Sequence, residues 1–207
     1  MLDLNKIFLF RMTHIENIAH ILQNGITHST SLHANSAFVP IGDGSLITTR
    51  NNILLANNKR LGDYIPFYFG SRTPMLYVVQ KGFNMVAPTP PDKIVYCISS
   101  VQKIIDLQLD FMFTDGHAVD SFTTQYNASD IQNINNILDK SAIDAKYWTD
   151  ENDLDKKRRK EAEFLVFGDI PLEAVLYYVT YNENAKNFIV NLGADAAKIG
   201  VRPEFYF

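Results

Sequence analysis

"KKRRKEAEFLVFG", Lys156 to Gly168, sets five consecutive basic residues against two glutamates and then four apolar residues. The run Phe164–Phe167 is short, apolar and bounded by Gly168, which predicts a strand. By the two-residue period of a strand, Glu163 and Leu165 share one face, and Phe164 and Val166 the other. A carboxylate thus stands at the mouth of a core strand, directly after a dense positive segment. A glutamate there is either a solvated edge residue or a group held for chemistry.

The surrounding chain is that of a globular protein. Its 207 residues are 46% hydrophobic and 20% charged, enough for one domain, 1–207, with a core that needs no disulfide. The single cysteine, Cys97, lies in the apolar run "IVYCI", which fits a reducing compartment. No apolar run approaches the ~20 residues of a membrane span. The first residues lack the basic n-region and the small-residue cleavage site of a signal peptide, so a cytoplasmic location and no membrane partner are expected. The net charge of −4 argues against broad nucleic-acid binding, but the charge is uneven. Residues 1–103 hold 9 Lys/Arg against 5 Asp/Glu, and residues 104–207 hold 10 against 18. Cations cluster at Lys59-Arg60, Arg72 and Lys156–Lys160, as solvated loops or as a local basic groove.

Patterning predicts a mixed α+β fold. Strands are expected at Lys6–Phe10, Ile65–Phe69, Met75–Gln80, in "KIVYCI", in "FMFT", in "EFLVFG", in "AVLYYVTYN" and in the closing "VRPEFYF". A helix is expected over 14–24. Ile15, Ile18 and Leu22 fall on one face, Thr13 and Glu16 have capping-box spacing, and Gly25 stands where a helix ends. Further helices are expected in "SSVQKIIDL", over 129–140 and in "NENAKNFIVNLG". Residues 29–58 and 140–160 read as long loops, a length that often carries function.

Several chemistries lack their residues. His14 and His20 are six apart and face different ways on a helix, so they make no HExxH-type pair. There is no Cys/His cluster for zinc, and no metal site is expected. Neither a GxSxG elbow nor a glycine-rich phosphate loop is present.

"RMTHIENIAHILQNGI", "GDYIPFYFGSRTPMLY", "TDGHA", "EAEFLV" and "RPEFYF", taken in order across the whole chain, resemble DarT. These are toxins that ADP-ribosylate single-stranded DNA using NAD and are paired with a macrodomain antitoxin, DarG. The resemblance implies an ADP-ribosyltransferase-like fold: a split, mostly antiparallel sheet with peripheral helices and long substrate loops, holding NAD as co-substrate. It implies single-stranded DNA as acceptor, thymine by family analogy.

The same resemblance assigns roles. Glu163 is the catalytic glutamate, able to stabilise positive charge on the ribose and to take a proton from a base nitrogen. Arg50, in "SLITTRNN", is the cleft arginine, with Lys59 and Arg60 as neighbouring alternatives. Thr13, His14, Asn17, Gly25, Arg50 and Tyr68 are NAD contacts, Tyr68 by stacking on nicotinamide. Arg72, Met75, His117, Arg158 and Arg159 are DNA contacts, the arginines through phosphate. His20 and His28 have no assignment and read as structural or solvated. Glu161 reads as a partner of the adjacent lysines, or else as the first glutamate of the E-x-E pair that orients the acceptor in arginine-modifying transferases. Two rival functions stay open on the residues: the same fold with protein, tRNA or a small molecule as acceptor, and a non-enzymatic nucleic-acid-binding module.

Overall fold

The computed structural model describes residues 2–55 and 57–207; Met1 and Ala56, which the expected domain and first long loop include, lie outside the described residues. Eight strands form one sheet: β1 Phe8–His14, β2 Tyr64–Tyr68, β3 Ile94–Ser100, β4 Phe111–Thr114, β5 Gln125–Asn127, β6 Glu163–Phe167, β7 Tyr177–Thr180 and β8 Ile199–Val201. Their order is β5-β4-β6-β2-β1-β3-β7-β8, and every pairing is antiparallel except β7 with β8. The helices are α1 Ile18–Asn24, α2 Gly44–Asn52, α3 Pro74–Lys81, α4 Val101–Asp106, α5 Ile134–Ile137, α6 Lys140–Asp144, α7 Lys156–Lys160 and α8 Glu183–Asn191.

The sheet is nearly split at its centre. β1 pairs with β3 along all seven residues, from Phe8↔Ser100 to His14↔Ile94, but meets β2 in register only at Phe10↔Tyr68. Pro66 explains the lapse. A strand residue points its N–H and C=O to the same side, and the Pro66 carbonyl accepts from the Arg11 side chain, Nη1, at 2.9 Å, so it faces β1. The N–H that would continue the ladder there does not exist in proline. The strands diverge, and the Arg11 guanidinium bridges the gap.

Both faces of the sheet are covered. Leu9, Phe67, Val95, Phe113, Phe164 and Val166 pack with residues of α1, α4 and α8. Tyr96, Ile98 and Val179 pack against Leu76 and Val79 of α3 and against Tyr206. Leu165 joins Leu61, Tyr64 and Met112 in a smaller cluster beneath β6.

Several expected elements change. The first strand begins at Phe8, after a 3₁₀ turn Leu4–Lys6 capped by Asp3, and runs on to His14. Thr13 is therefore a strand residue. The cap of the following 3₁₀ turn is His14, whose Nδ1 accepts from the Glu16 amide at 3.3 Å. Seven residues of ladder with β3 outweigh one local capping box. Met75–Gln80 lies in a helix, α3, whose signals are Thr73 accepting from Leu76 N at 3.2 Å, Pro74 in the first turn and Gly82 in the left-handed region at φ +75°. The apolar run was legible, but its period was not. The supposed loop 140–160 contains α6 and α7. The last strand is β8, and Pro203–Phe205 is a 3₁₀ turn.

Candidate active site

A cleft of about 430 Å³ opens where β1 and β2 part. Because the sheet splits there, the cleft takes Arg11 and Thr13 from one face of β1 and Met12 from the other, together with Tyr64, Pro66 and Tyr68 of β2. Its roof is the segment Ala34–Asn51, including α2, which brings Arg50 inward. Met75, at the start of α3, and His117 close its sides.

At one end stands Glu163, the first residue of β6 and wholly buried. It lies directly across from Tyr68 in the β2–β6 ladder. Its Oε2 accepts from Arg50 Nη1 at 2.8 Å, and its Oε1 accepts from the Ala118 amide at 2.9 Å. His117 Nε2 is 4.0 Å from Oε1. Burial lowers the His117 pKa, a shift that the nearby Glu163 charge only partly opposes, so the imidazole is neutral at neutral pH. The other Arg50 terminal nitrogen, Nη2, is buried with no partner. A buried unpaired guanidinium nitrogen is costly and marks a place for an acceptor group. The Tyr68 phenol, half-buried in the cleft wall near Glu163, is held well above its usual pKa, chiefly by desolvation.

The predicted residues divide by what holds them. Arg50, Tyr68 and His117 line one end of the cleft and converge on Glu163, which is buried behind them, while Thr13 and Met75 line its walls. Asn17 also lines the cleft, but its amide is fully used. Nδ2 donates to Thr13 Oγ1 at 3.0 Å and to Val39 O at 2.8 Å, and Oδ1 accepts from Val39 N at 2.9 Å. Asn17 thus ties the roof segment to β1, with no donor left over for NAD. Gly25 does not line the cleft. It has φ +76°, and a Cβ there would sit 2.2 Å from the Ile170 carbonyl oxygen, so glycine is required for the backbone to pass. His14 does not line the cleft, and its Nδ1 is engaged as the cap. Arg72 stacks on Phe207, 4.3 Å from the ring centroid.

The basic segment is not the open patch that its sequence suggests. Arg158 bonds Asp155 and Asp115, Arg159 pairs with Asp139, Asp153 and Asp155, and Lys156 pairs with Asp150. Lys160 is buried, with Nζ donating to the carbonyls of Ile143 and Ala145 at 2.8 and 2.6 Å, and burial brings its pKa down to about 8. The guanidiniums of Arg158 and Arg159 are committed within the protein and serve loop structure. Lys157 is exposed and forms no ion pair among the described residues. Glu161 does not pair with these lysines either. It is buried without an ion pair among the described residues, and desolvation raises its pKa to about 7.

Arg11, His20 and His28 are among the cleft residues that were missed. Arg11 is two residues before Thr13 on the same strand face, visible only once β1 is extended to His14. Burial brings its pKa down to about 10. His20 and His28 also line the cleft, His20 bonded to Thr27 Oγ1 and His28 to the Gly62 carbonyl. Among the described residues no three His, Cys, Asp or Glu side chains gather as a metal site.

Comparison with known proteins agrees with this geometry. A fusion protein of a DNA ADP-ribosyl transferase and a DNA ADP-ribosyl glycohydrolase from Thermosipho africanus is 32% identical over 96% of this chain, which spans about half (49%) of that protein's length. A DNA ADP-ribosyl transferase from Escherichia coli is 28% identical over 89% of this chain and 85% of its own. The structure of Thermus sp. 2.9 DarT in complex with ADP-ribosylated single-stranded DNA superposes with a TM-score of 0.85 at 26% identity, covering 97% of this chain and 96% of that one. The same Thermus protein in complex with NAD+ gives 0.80 at 25% identity, covering 97% of this chain and 98% of that one. The family model for the single-stranded-DNA thymidine ADP-ribosyltransferase DarT matches residues 10–207, from the third residue of β1 through the final turn, and the chain belongs to that family.

Proposed function

We propose that Glu163, Arg50, Tyr68 and His117 carry out NAD-dependent transfer of ADP-ribose to a thymine base in single-stranded DNA. The observation that carries this reading is the buried Glu163–Arg50 pair at the end of a cleft in a split sheet, with Arg50 Nη2 unpartnered. A phosphate or carbonyl oxygen of NAD or of the acceptor base suits that nitrogen, and Arg11 adds a second cation to the cleft floor. The residues present therefore fit NAD. When bound, NAD supplies the ADP-ribosyl group, with positive charge gathering on its ribose as nicotinamide leaves.

The protein's own groups do the rest. Glu163 sets a fixed negative charge in a water-poor site, where it stabilises developing positive charge far more than in water. Its Oε1 keeps a lone pair beyond its bond to the Ala118 amide and accepts the proton of a thymine ring nitrogen. Arg50 fixes the carboxylate's orientation through Oε2. Neutral His117 beside Oε1 offers a ring nitrogen to the acceptor base. A single strand suits this site because its base edge is accessible without extrusion from a duplex.

By analogy with the Thermosipho fusion, a DNA ADP-ribosyl glycohydrolase removes the modification, in keeping with the toxin role and macrodomain antitoxin that the family resemblance implies. Among the described residues no helix is long and apolar enough to cross a membrane. Mass spectrometry of a thymine-bearing oligonucleotide incubated with protein and NAD tests the reading. An ADP-ribosyl mass gain on the oligonucleotide, absent with Glu163→Gln, is expected. Transfer to protein instead, or nicotinamide release without a modified oligonucleotide, overturns it.

A further inference from the structure

Phe122 is a large aromatic residue left in solvent, 83% exposed, on the turn that carries His117. That turn is not slack. Asp120 N donates to His117 O at 2.9 Å, Phe122 N to Asp120 Oδ1 at 2.9 Å and Thr123 N to Asp120 O at 3.1 Å. Its neck is closed by Thr124 N on Asp115 Oδ1 at 2.9 Å. Arg158 crosses beneath, bonding Asp115 and Thr123 through Nη1 while its carbonyl accepts the His117 amide at 3.0 Å. Gly116 is where that crossing is closest, since a Cβ there would meet Arg158 Nη1 at 2.4 Å. The exposed ring is thus held on a rigid support within five residues of His117, which itself lies 4.0 Å from the catalytic carboxylate. Lys157, the exposed cation of the basic segment and without an ion pair among the described residues, directly precedes Arg158, whose guanidinium bonds Thr123 beside Phe122.

We propose that Phe122 and Lys157 form a subsite for the nucleotide adjoining the modified one, Phe122 stacking on its base and Lys157 contacting its phosphate. The inference rests on the reading of single-stranded DNA as acceptor. Two arguments select a nucleotide as the occupant. The surface is continuous with the acceptor end of the cleft through His117, and it pairs an open aromatic face with a free cation, the combination that holds unpaired strands. Asp120, the other charge on the turn, accepts from the Phe122 amide and leaves the outer face of the ring open.

The test compares steady-state modification of a thymine oligonucleotide with that of two otherwise identical oligonucleotides carrying an abasic residue on the 5′ or the 3′ side of the thymine. Phe122→Ala is expected to raise the oligonucleotide KM about tenfold, the effect of losing one base–aromatic stack, with the NAD KM unchanged. One of the two abasic substrates should raise the wild-type KM by a similar factor, and on that substrate Phe122→Ala should add nothing. Phe122→Trp should restore binding on the intact strand. Lys157→Ala should raise the KM several-fold and make it less salt-dependent. Unchanged KM in Phe122→Ala, or an equal loss on all three substrates, overturns the subsite. A wild-type protein that modifies none of the three oligonucleotides fails the underlying reading instead, so the two failures are distinct.

Discussion

Arg50 Nη1 and Glu163 Oε2 meet at 2.8 Å across 113 residues of chain, joining the roof of the cleft to the first residue of β6. The carboxylate is wholly buried and the guanidinium side chain 13% exposed. Removing one partner of a buried pair leaves the other charge without compensation. Arg50→Ala should therefore both abolish transfer and destabilise the fold by about 3 kcal/mol, read as a lower melting temperature. Glu163→Gln keeps the shape and an acceptor oxygen. It leaves the Arg50 charge uncompensated and turns an NH2 toward one of the two donors, so it should melt below wild type and lose roughly 10²-fold or more of the transfer rate, as expected for loss of a positioned base. Arg50→Lys should rescue part of the stability and little of the rate, because a lysine cannot present two nitrogens in one plane.

Glu161 gives the pH signature. Its carboxyl is buried, and its pKa is raised from 4.5 to about 7, chiefly by desolvation. The folded protein therefore binds this proton more tightly than the unfolded chain does. Stability from this group is complete below about pH 4.5, falls as pH rises through 7 and stays low above it. Glu161→Gln removes the titration. It should raise the melting temperature by several degrees at pH 8, an effect on the order of 3 kcal/mol, and leave it nearly unchanged at pH 4.5. Activity on a thymine oligonucleotide should survive this substitution. A loss as severe as that of Glu163→Gln would instead assign Glu161 the acceptor-orienting role of an E-x-E transferase.

The legible and illegible parts of this molecule separate by the range of the interactions that decide them. β6, α4 and α8 were readable because period, cap and stop lie within each segment. α3 was not, since "MLYVV" looks the same to a strand and to a helix, and only Thr73, Pro74 and Gly82 around it decide. Glu163 and Arg50 were singled out by resemblance, but their contact is invisible to any local rule. The basic segment misled because sequence shows its charges without their partners. Asp115 and Asp139, which neutralise arginines of that segment, lie tens of residues away. Arg11 was hidden for the same reason: its role follows from a carbonyl on Pro66, 55 residues on.

Gly25 tests a purely steric requirement. Its φ of +76° and the 2.2 Å approach of the Ile170 carbonyl oxygen leave no room for a side chain, and Ile26 pairs with Ile170 immediately after it. Gly25→Ala should cost about 2 kcal/mol or more and lower the melting temperature. The NAD KM of whatever protein remains folded should be unchanged, because the glycine braces α1 and does not line the cleft.

Arg158 separates support from DNA contact. Its guanidinium is shared among Asp155, Asp115 and Thr123, and its carbonyl holds the His117 amide. A phosphate-binding arginine, when removed, weakens the salt dependence of binding, by a slope of about 0.7 per contact for a single strand. Arg158→Ala should leave that slope unchanged and lower kcat, because the turn that positions His117 and the Ala118 amide loosens. The loss should persist from low to high salt, and Arg158→Lys should recover little, since one ammonium cannot span three acceptors on different segments. Oligonucleotide binding across a salt series, set beside kcat for the same variants, reads both effects. A flattened slope with kcat intact would return Arg158 to the DNA interface.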